Sequence, residues 1–396
     1  MNKRQSFIPV LVFVLIASTM GLLLVRSLHA SYAFGSFGTN DFIEFWSAFQ
    51  LFVVNDNPYD PEKLNAIQVS LGRAQESPLL LWNPPWVLTL MTPLLNLGFA
   101  ASAQVFIWMN LVLLGAGAAL LWSASTERRP YSPKSIGAAF LFLPALTNIQ
   151  IGQIAIVLFF CIAGFVWAAA NRRDFLAGLF LVPLSIKVHM VFLLLTAIAW
   201  WIVRFRRFRV FGGGAVGFSA LIAATVAVSP NALNNWLGGF ESPPFYWKTA
   251  ALSGALRSLL FELTGDAPAW PVVVLPIIAL FAVCLWLLKR RPTIDWTMHA
   301  PPLIALSIMF SPYGWLFDQT LLVCVQVVLL AKAFEPEVSN HARREVVLLL
   351  AVDQMFLVLS LISGFAMHHH FFWHPVAMLW VWYRSSRVLG LDSSER

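Results

Sequence analysis

Apolar runs of about 20 residues recur along nearly the whole chain, each long enough to cross the hydrocarbon core of a bilayer as a helix. Backbone in lipid must satisfy its own hydrogen bonds, so runs of this kind leave few folds open. Only 11% of the 396 residues are charged and 59% are hydrophobic. A soluble domain carries roughly twice that charged fraction. No stretch is polar enough to form a separate soluble unit, so residues 1–396 read as one all-α, polytopic membrane domain.

The runs predict about twelve transmembrane helices, near 7–26, 100–123, 136–150, 153–170, 175–187, 188–203, 210–228, 270–288, 298–311, 315–333, 345–366 and 370–383. The first follows Lys3 and Arg4, as a signal peptide would, but Phe7–Val25 exceeds the roughly 7–15 apolar residues of a signal. It reads as a retained helix. Cys161, Cys284 and Cys324 all lie within apolar runs and read as small core residues.

The net charge of +7 is distributed in short basic clusters between apolar runs, the pattern of cytoplasmic loops and not of a nucleic-acid surface. The clusters are Lys3/Arg4, Arg128/Arg129/Lys134, Arg172/Arg173, Arg204/Arg206/Arg207/Arg209, Lys289/Arg290/Arg291, Arg343/Arg344 and Arg384/Arg387. With the N-terminus inside, 20 of the 26 Lys and Arg are cytoplasmic, and both termini are too. Arg26, Lys63, Arg73, Lys187, Lys248 and Arg257 remain outside. This alternation requires that the helical stretch 85–98 not cross, so it is expected as an interfacial or re-entrant helix. The first outer loop, 27–99, is then the largest, and a second outer loop spans 229–269. No internal repeat is evident, which disfavours an inverted-repeat transporter.

Residues with chemical potential fall on the outer side. Phe42, Phe45, Trp46, Phe49 and Phe52 recur at helical spacing and predict an amphipathic helix on the membrane surface. Thr39, Asn40 or Asp41 is placed to cap it, with Glu44 completing a capping box. The alternative is that Asp41 and Glu44, sharing one helical face, hold a carboxylate at the surface as a general base. "NDNPYDP" is a turn-rich exit, and "LLLWNPPW" starts a helix with Trp82 and Trp86 suited to the interface. Asn148, Gln150, Gly152 and Gln153 form a tight outer turn whose amides either satisfy helix ends or bind sugar hydroxyls. Lys187 and His189 lie between two apolar helices, where Lys187 either snorkels or binds phosphate. Tyr313, Asp318 and Gln319 begin another span, and Asp353 lies deep in the next, with no partner evident. His368, His369, His370 and His374 read as an interfacial cluster, with metal binding the less favoured alternative; no metal ligand set is assigned.

"DFIEFW…NPYDP", "LWNPPWVLTLMTPL", "IGQIAIVLFF", "RRDFLAGLFLVPLSIKVHMVFLLL" and "SPYGWLFDQTLL" occur in this order, from about residue 40 to 330. Together they resemble glycosyltransferase family 87, of the GT-C superfamily, which includes polyprenol-phosphate-mannose-dependent α-mannosyltransferases. The resemblance implies a hexose, mannose first, moved from a polyprenyl-phosphate donor to a glycolipid, glycan or protein acceptor, with membrane lipids as the surroundings. It implies an active site on the outer face of a bacterial inner membrane, with no cofactor. It matches the family's catalytic Asp to Asp41, its Gln to Gln153 and its Lys to Lys187. Val188 stands where a proline usually follows that Lys, and "SPYGWLFDQ" lacks the histidine that many members carry.

The mechanism expected on this basis is inverting. Asp41 takes the acceptor proton, with Glu44 as its partner. Lys187, with His189 and Arg257, meets the charge of the leaving phosphate. Tyr59, Trp82, Asn83, Gln153, Tyr313 and Asp318 shape the sugar and acceptor pocket. The alternative reading is a transporter or flippase of a lipid-linked or amphiphilic substrate, which has no need of the aromatic, carboxylate-bearing outer loop.

Overall fold

The structure, a computed structural model, describes residues 41–73, 78–126, 132–239, 249–289, 294–363 and 368–391. The expected first span 7–26, the cap candidates Thr39 and Asn40, and Arg26, Arg128, Arg129, Lys248, Arg290 and Arg291 lie outside them. So do the side chains of His368 and His369. Every regular element among the described residues is helical. In order they are α1 (Phe42–Val53), α2 (Pro61–Ser70), α3 (Trp86–Leu95), α4 (Phe99–Ser125), α5 (Pro133–Phe140), α6 (Leu143–Ile151), α7 (Ala155–Ala170), α8 (Asp174–Leu181) and α9 (Phe192–Arg204). There follow α10 (Phe208–Val228), α11 (Ala232–Gly238), α12 (Leu252–Thr264), α13 (Trp270–Lys289), α14 (Trp296–Met309), α15 (Val323–Ala333), α16 (Asn340–Ile362) and α17 (Trp373–Val388).

Among the described residues, five helices are long and apolar enough to cross a membrane: α4, α10, α13, α16, and Leu316–Ala333, which joins a 3₁₀ turn to α15. Some of the other expected spans form single but shorter helices, such as α7 and α14, and others are interrupted. The stretch expected as one helix over 136–150 breaks between α5 and α6, at a cap residue, Phe142, in extended conformation ahead of Pro144. The boundary between 175–187 and 188–203 is a pair of 3₁₀ turns, Val182–Ile186 and Val188–Met190, around Lys187. Pro183 opens the first of them, removing a backbone donor where α8 gives way. Irregular backbone at such depth is tolerated because it is enclosed by protein.

Two apolar cores organise the helices. The larger draws on α4 to α10 and α13 to α17. The smaller is built by α1, α2, α3 and the start of α4, with Ile154, Ile186, Leu221 and Ala232 closing it. The helix expected to lie on the membrane surface, α1, is instead buried in this second core, with Phe42, Phe45, Phe49 and Phe52 all at most 1% exposed. Its aromatic residues stack on Phe99 and Phe106 of α4. Gln68 of α2 fixes the loop back onto α1: its Nε2 donates to Ser47 Oγ and Leu79 O, and its Oε1 accepts from Leu79 N. The NDNPYDP turn forms as expected, Asn57 accepting from Tyr59 N and Asp60 capping α2 ahead of Pro61.

α8 and α10 cross at glycines. A Cβ on Gly178 would fall on the Val210 carbonyl, and one on Gly213 on the Phe175 carbonyl. Between α9, α13 and α14 lies a cavity of about 440 Å³, lined by apolar residues such as Leu193, Ile278, Val283, Leu303 and Phe310.

Candidate active site

Four side chains distant in sequence form one hydrogen-bonded line. Gln153 Nε2 donates to Asp41 Oδ2 at 2.9 Å, and Lys187 Nζ donates to Gln153 Oε1 at 3.2 Å. Lys187 Nζ also pairs with Asp318 Oδ1 at 2.7 Å, and Asp318 Oδ2 accepts from the Trp315 amide at 3.1 Å. The line runs along the seam between the two cores. Phe42, Ile154 and Ile186, each next in sequence to a member, belong to the smaller core, while Leu316 and Leu321 beside Asp318 belong to the larger.

Local structure aims each residue. Gly152 ends α6 at φ 85°, a left-handed conformation glycine adopts without penalty, and this turn delivers Gln153 before α7 begins. Lys187 sits between its two 3₁₀ turns at φ −132°, and its side chain is buried. Asp318 occupies the first turn of the 3₁₀ segment Leu316–Leu322, where its carboxylate reaches back to the Trp315 amide. Asp41 precedes α1 but makes no capping bond, so the capping role is set aside. Its carboxylate turns toward Gln153 instead.

Burial separates the two carboxyls of α1. It pushes Asp41 up to about 6, against the pull of the Gln153 hydrogen bond and the Lys187 charge. Glu44 is held well above the usual carboxylate range, by burial first and by the charge of Asp41 next. Near neutrality Asp41 is mostly the anion, and in that state its carboxylate is an acceptor. Lys187 commits two of its three N–H groups to Gln153 and Asp318. His189 stacks on Tyr313 with ring centres 4.2 Å apart, and its Nε2 is buried with no hydrogen-bond partner among the described residues. Trp315 stacks on Phe317, and Lys187 lies over the Phe317 ring.

The remaining candidates stand apart from this line. Tyr59 donates to the Asn83 carbonyl at 3.0 Å, so these two are tied to each other. Trp82 is half-buried in the same loop. Among the described residues Arg257 makes no hydrogen bond to the line, although its helix α12 and the loop before it are tied to the segment ahead of Asp318: Ala250 N donates to Gly314 O at 2.6 Å, and Ser253 Oγ of α12 bonds Ser311 O. Asp353, for which no partner was evident, meets His374 and Gln354. Arg73 was overlooked as a site residue; its charge acts on Asp41, and its place among the few outer basic residues was the available signal. No group of three or more His, Cys, Asp or Glu able to hold a metal occurs among the described residues.

A family model described as glycosyltransferase family 87 matches residues 81–312, more than half of the chain. The matched stretch contains Gln153 and Lys187, while Asp41 and Asp318 lie on either side of it. Neither a curated protein nor a solved structure matches.

Proposed function

This chain belongs to glycosyltransferase family 87 and is a membrane glycosyltransferase, and on that premise we propose that it transfers a hexose, mannose first, from a polyprenyl-phosphate donor to an acceptor hydroxyl on the outer face of the membrane. The observation that carries the proposal is the line Asp41–Gln153–Lys187–Asp318, with a carboxylate at one end and a cation near the other.

Asp41 accepts the acceptor hydroxyl's proton as that oxygen attacks the anomeric carbon, and the bond from that carbon to the phosphate oxygen breaks on the opposite face. The configuration inverts. The departing phosphate needs no proton, being a stable anion, but it gathers charge that a fixed cation offsets. The third N–H of Lys187 suits that task, and His189, kept neutral by burial that lowers it to about 4, lies beside it as a hydrogen-bonding group. Asp318 directs Lys187 through their 2.7 Å contact. Glu44, in the first turn of α1, is the partner that orients the acceptor. Gln153 keeps base and cation in register by contacting both. Tyr59, Trp82, Asn83 and Tyr313 border the sugar, and Arg257 is a further candidate for the phosphate. The isoprenoid tail takes the apolar cavity, two of whose lining residues, Leu193 and Phe310, sit on the helices adjoining His189 and Ser311. In this scheme Lys187 supplies the positive charge that meets the phosphate.

The test is transfer from radiolabelled polyprenyl-phosphate-mannose in membranes containing the chain. Asp41→Asn is expected to lower it by roughly 10²-fold or more while donor binding persists. Full activity of that variant overturns the base assignment.

A further inference from the structure

Asp353 lies in the middle of α16 with its side chain 2% exposed, where an uncompensated carboxylate is costly. Its Oδ2 lies 3.2 Å from His374 Nε2, and His374 Nδ1 lies 2.7 Å from Gln319 Oε1. The directions of these bonds follow from the backbone. Gln319 Nε2 donates to the carbonyls of Ala250 and Phe371, which only accept, so Oε1 faces His374 and Nδ1 carries a hydrogen. Gln354 Oε1 accepts from Leu143 N, which only donates, so its Nε2 points at Asp353 Oδ2 at 2.9 Å. Gln354, Asp353, His374 and Gln319 thus form one continuous chain of contacts. Phe142 and Trp373 pack on the imidazole and keep the pair in an apolar shell.

All of this converges on one amide. Gln319 is bonded to α17, to the Phe371 carbonyl ahead of it, and to the Ala250 carbonyl ahead of α12. It directly follows Asp318, the residue that grips Lys187. The same Ala250 loop is bonded to Gly314 and Ser311, so Gln319 and its partners clamp both sides of the segment that carries Asp318. A buried polar network is costly relative to an apolar core of the same shape, so fixing this segment is what it offers in return. We infer that His374 and Asp353 are positioning residues for the donor-phosphate end of the site, acting through Gln319 on Asp318 and Lys187. The inference rests on the reading of Lys187 as the phosphate cation.

The test is equilibrium binding of polyprenyl monophosphate to the full chain in lipid nanodiscs, with thermal unfolding measured on each variant. His374→Leu removes the donor to Gln319, and Gln319→Leu cuts the same link while sparing the Asp353–His374 pair. Each is expected to weaken binding by about tenfold or more. His374→Asn retains an N–H where Nδ1 stands and is expected to bind within about threefold of the wild type. Leu variants that fold and bind as the wild type does, with only a lower Tm, overturn the inference. A His374→Asn variant as weak as His374→Leu does so too, as do Leu variants that do not accumulate folded, since the network is then needed for folding itself. Lys187→Met separates the two readings. If it binds as the wild type does, or the wild type does not bind, the phosphate reading fails. If it loses binding while Gln319→Leu keeps it, only the positioning inference fails.

Discussion

At Asp41, function and stability pull in opposite directions. Burial raises its carboxyl to about 6 from 3.8, so the folded chain takes up a proton more readily than the unfolded chain. The contribution to stability is full below about pH 4 and is lost as pH rises through about 6. Transfer has the opposite profile, since only the anion accepts a proton. The rate is expected to climb with pH through about 6 and level off above it, in a pH–rate profile taken at saturating donor. Asp41→Asn, the variant expected to impair transfer, is also expected to raise Tm at neutral pH by several degrees, because it keeps an acceptor for Gln153 and sheds the buried charge. The pair Lys187–Asp318 behaves differently. Lys187→Met strands a buried carboxylate and is expected to cost roughly 3–5 kcal/mol. Adding Asp318→Leu recovers most of that in thermal unfolding, but not transfer. A double variant with restored activity removes Lys187 from the mechanism. Local sequence could nominate each of these residues but not join them. Gln153 lies 112 positions from Asp41, and Asp318 lies 131 from Lys187, separations at which no helical spacing carries information.

Among the elements, those that matter most for the site are the broken ones. The interruptions at Gly152, Lys187 and Trp315 let polar side chains turn inward where a continuous helix would direct them along its own face. Pro183 and Gly152 marked two of these breaks in the sequence, but their apolar surroundings read equally as helix on either side. α8, the helix that precedes the Lys187 break, is held against α10 by the glycine crossing. Gly178→Ala and Gly213→Ala each drive a Cβ into backbone that cannot yield and are expected to cost roughly 1–3 kcal/mol in thermal unfolding. Gly137→Ala and Gly212→Ala face open space and are expected to be neutral or slightly stabilising. Equal effects at all four sites contradict the close-approach account. Misreading α1 has a related cause: its aromatic face suits a membrane surface as well as it suits the protein core that covers it.

For the whole molecule, the charge alternation assigns Gln153, Lys187 and Asp318 to one side, and these three meet in the fold. The orientation itself is tested by labelling. Glu62→Cys is expected to react with a membrane-impermeant maleimide in intact cells, and Pro336→Cys only after lysis; both positions are exposed. The reverse pattern overturns the outward-facing site. Cys161 and Cys324 are buried and Cys284 is half-buried, which limits background labelling. The class of molecule is legible in the amino acids alone, since apolar run length and scarce charge leave a helical membrane protein as the reading. So are Asp41, Gln153, Lys187 and Asp318 as candidates, because polar groups are conspicuous where burial is costly. Which of them touch, that α1 is buried, and that Asp353 has His374 for a partner emerge with the packing of the helices. The physical reason is that helices apolar on every side carry no stripe to show which face meets protein and which meets lipid. Their pairing is settled by shape, and by the few hydrogen bonds that span the chain.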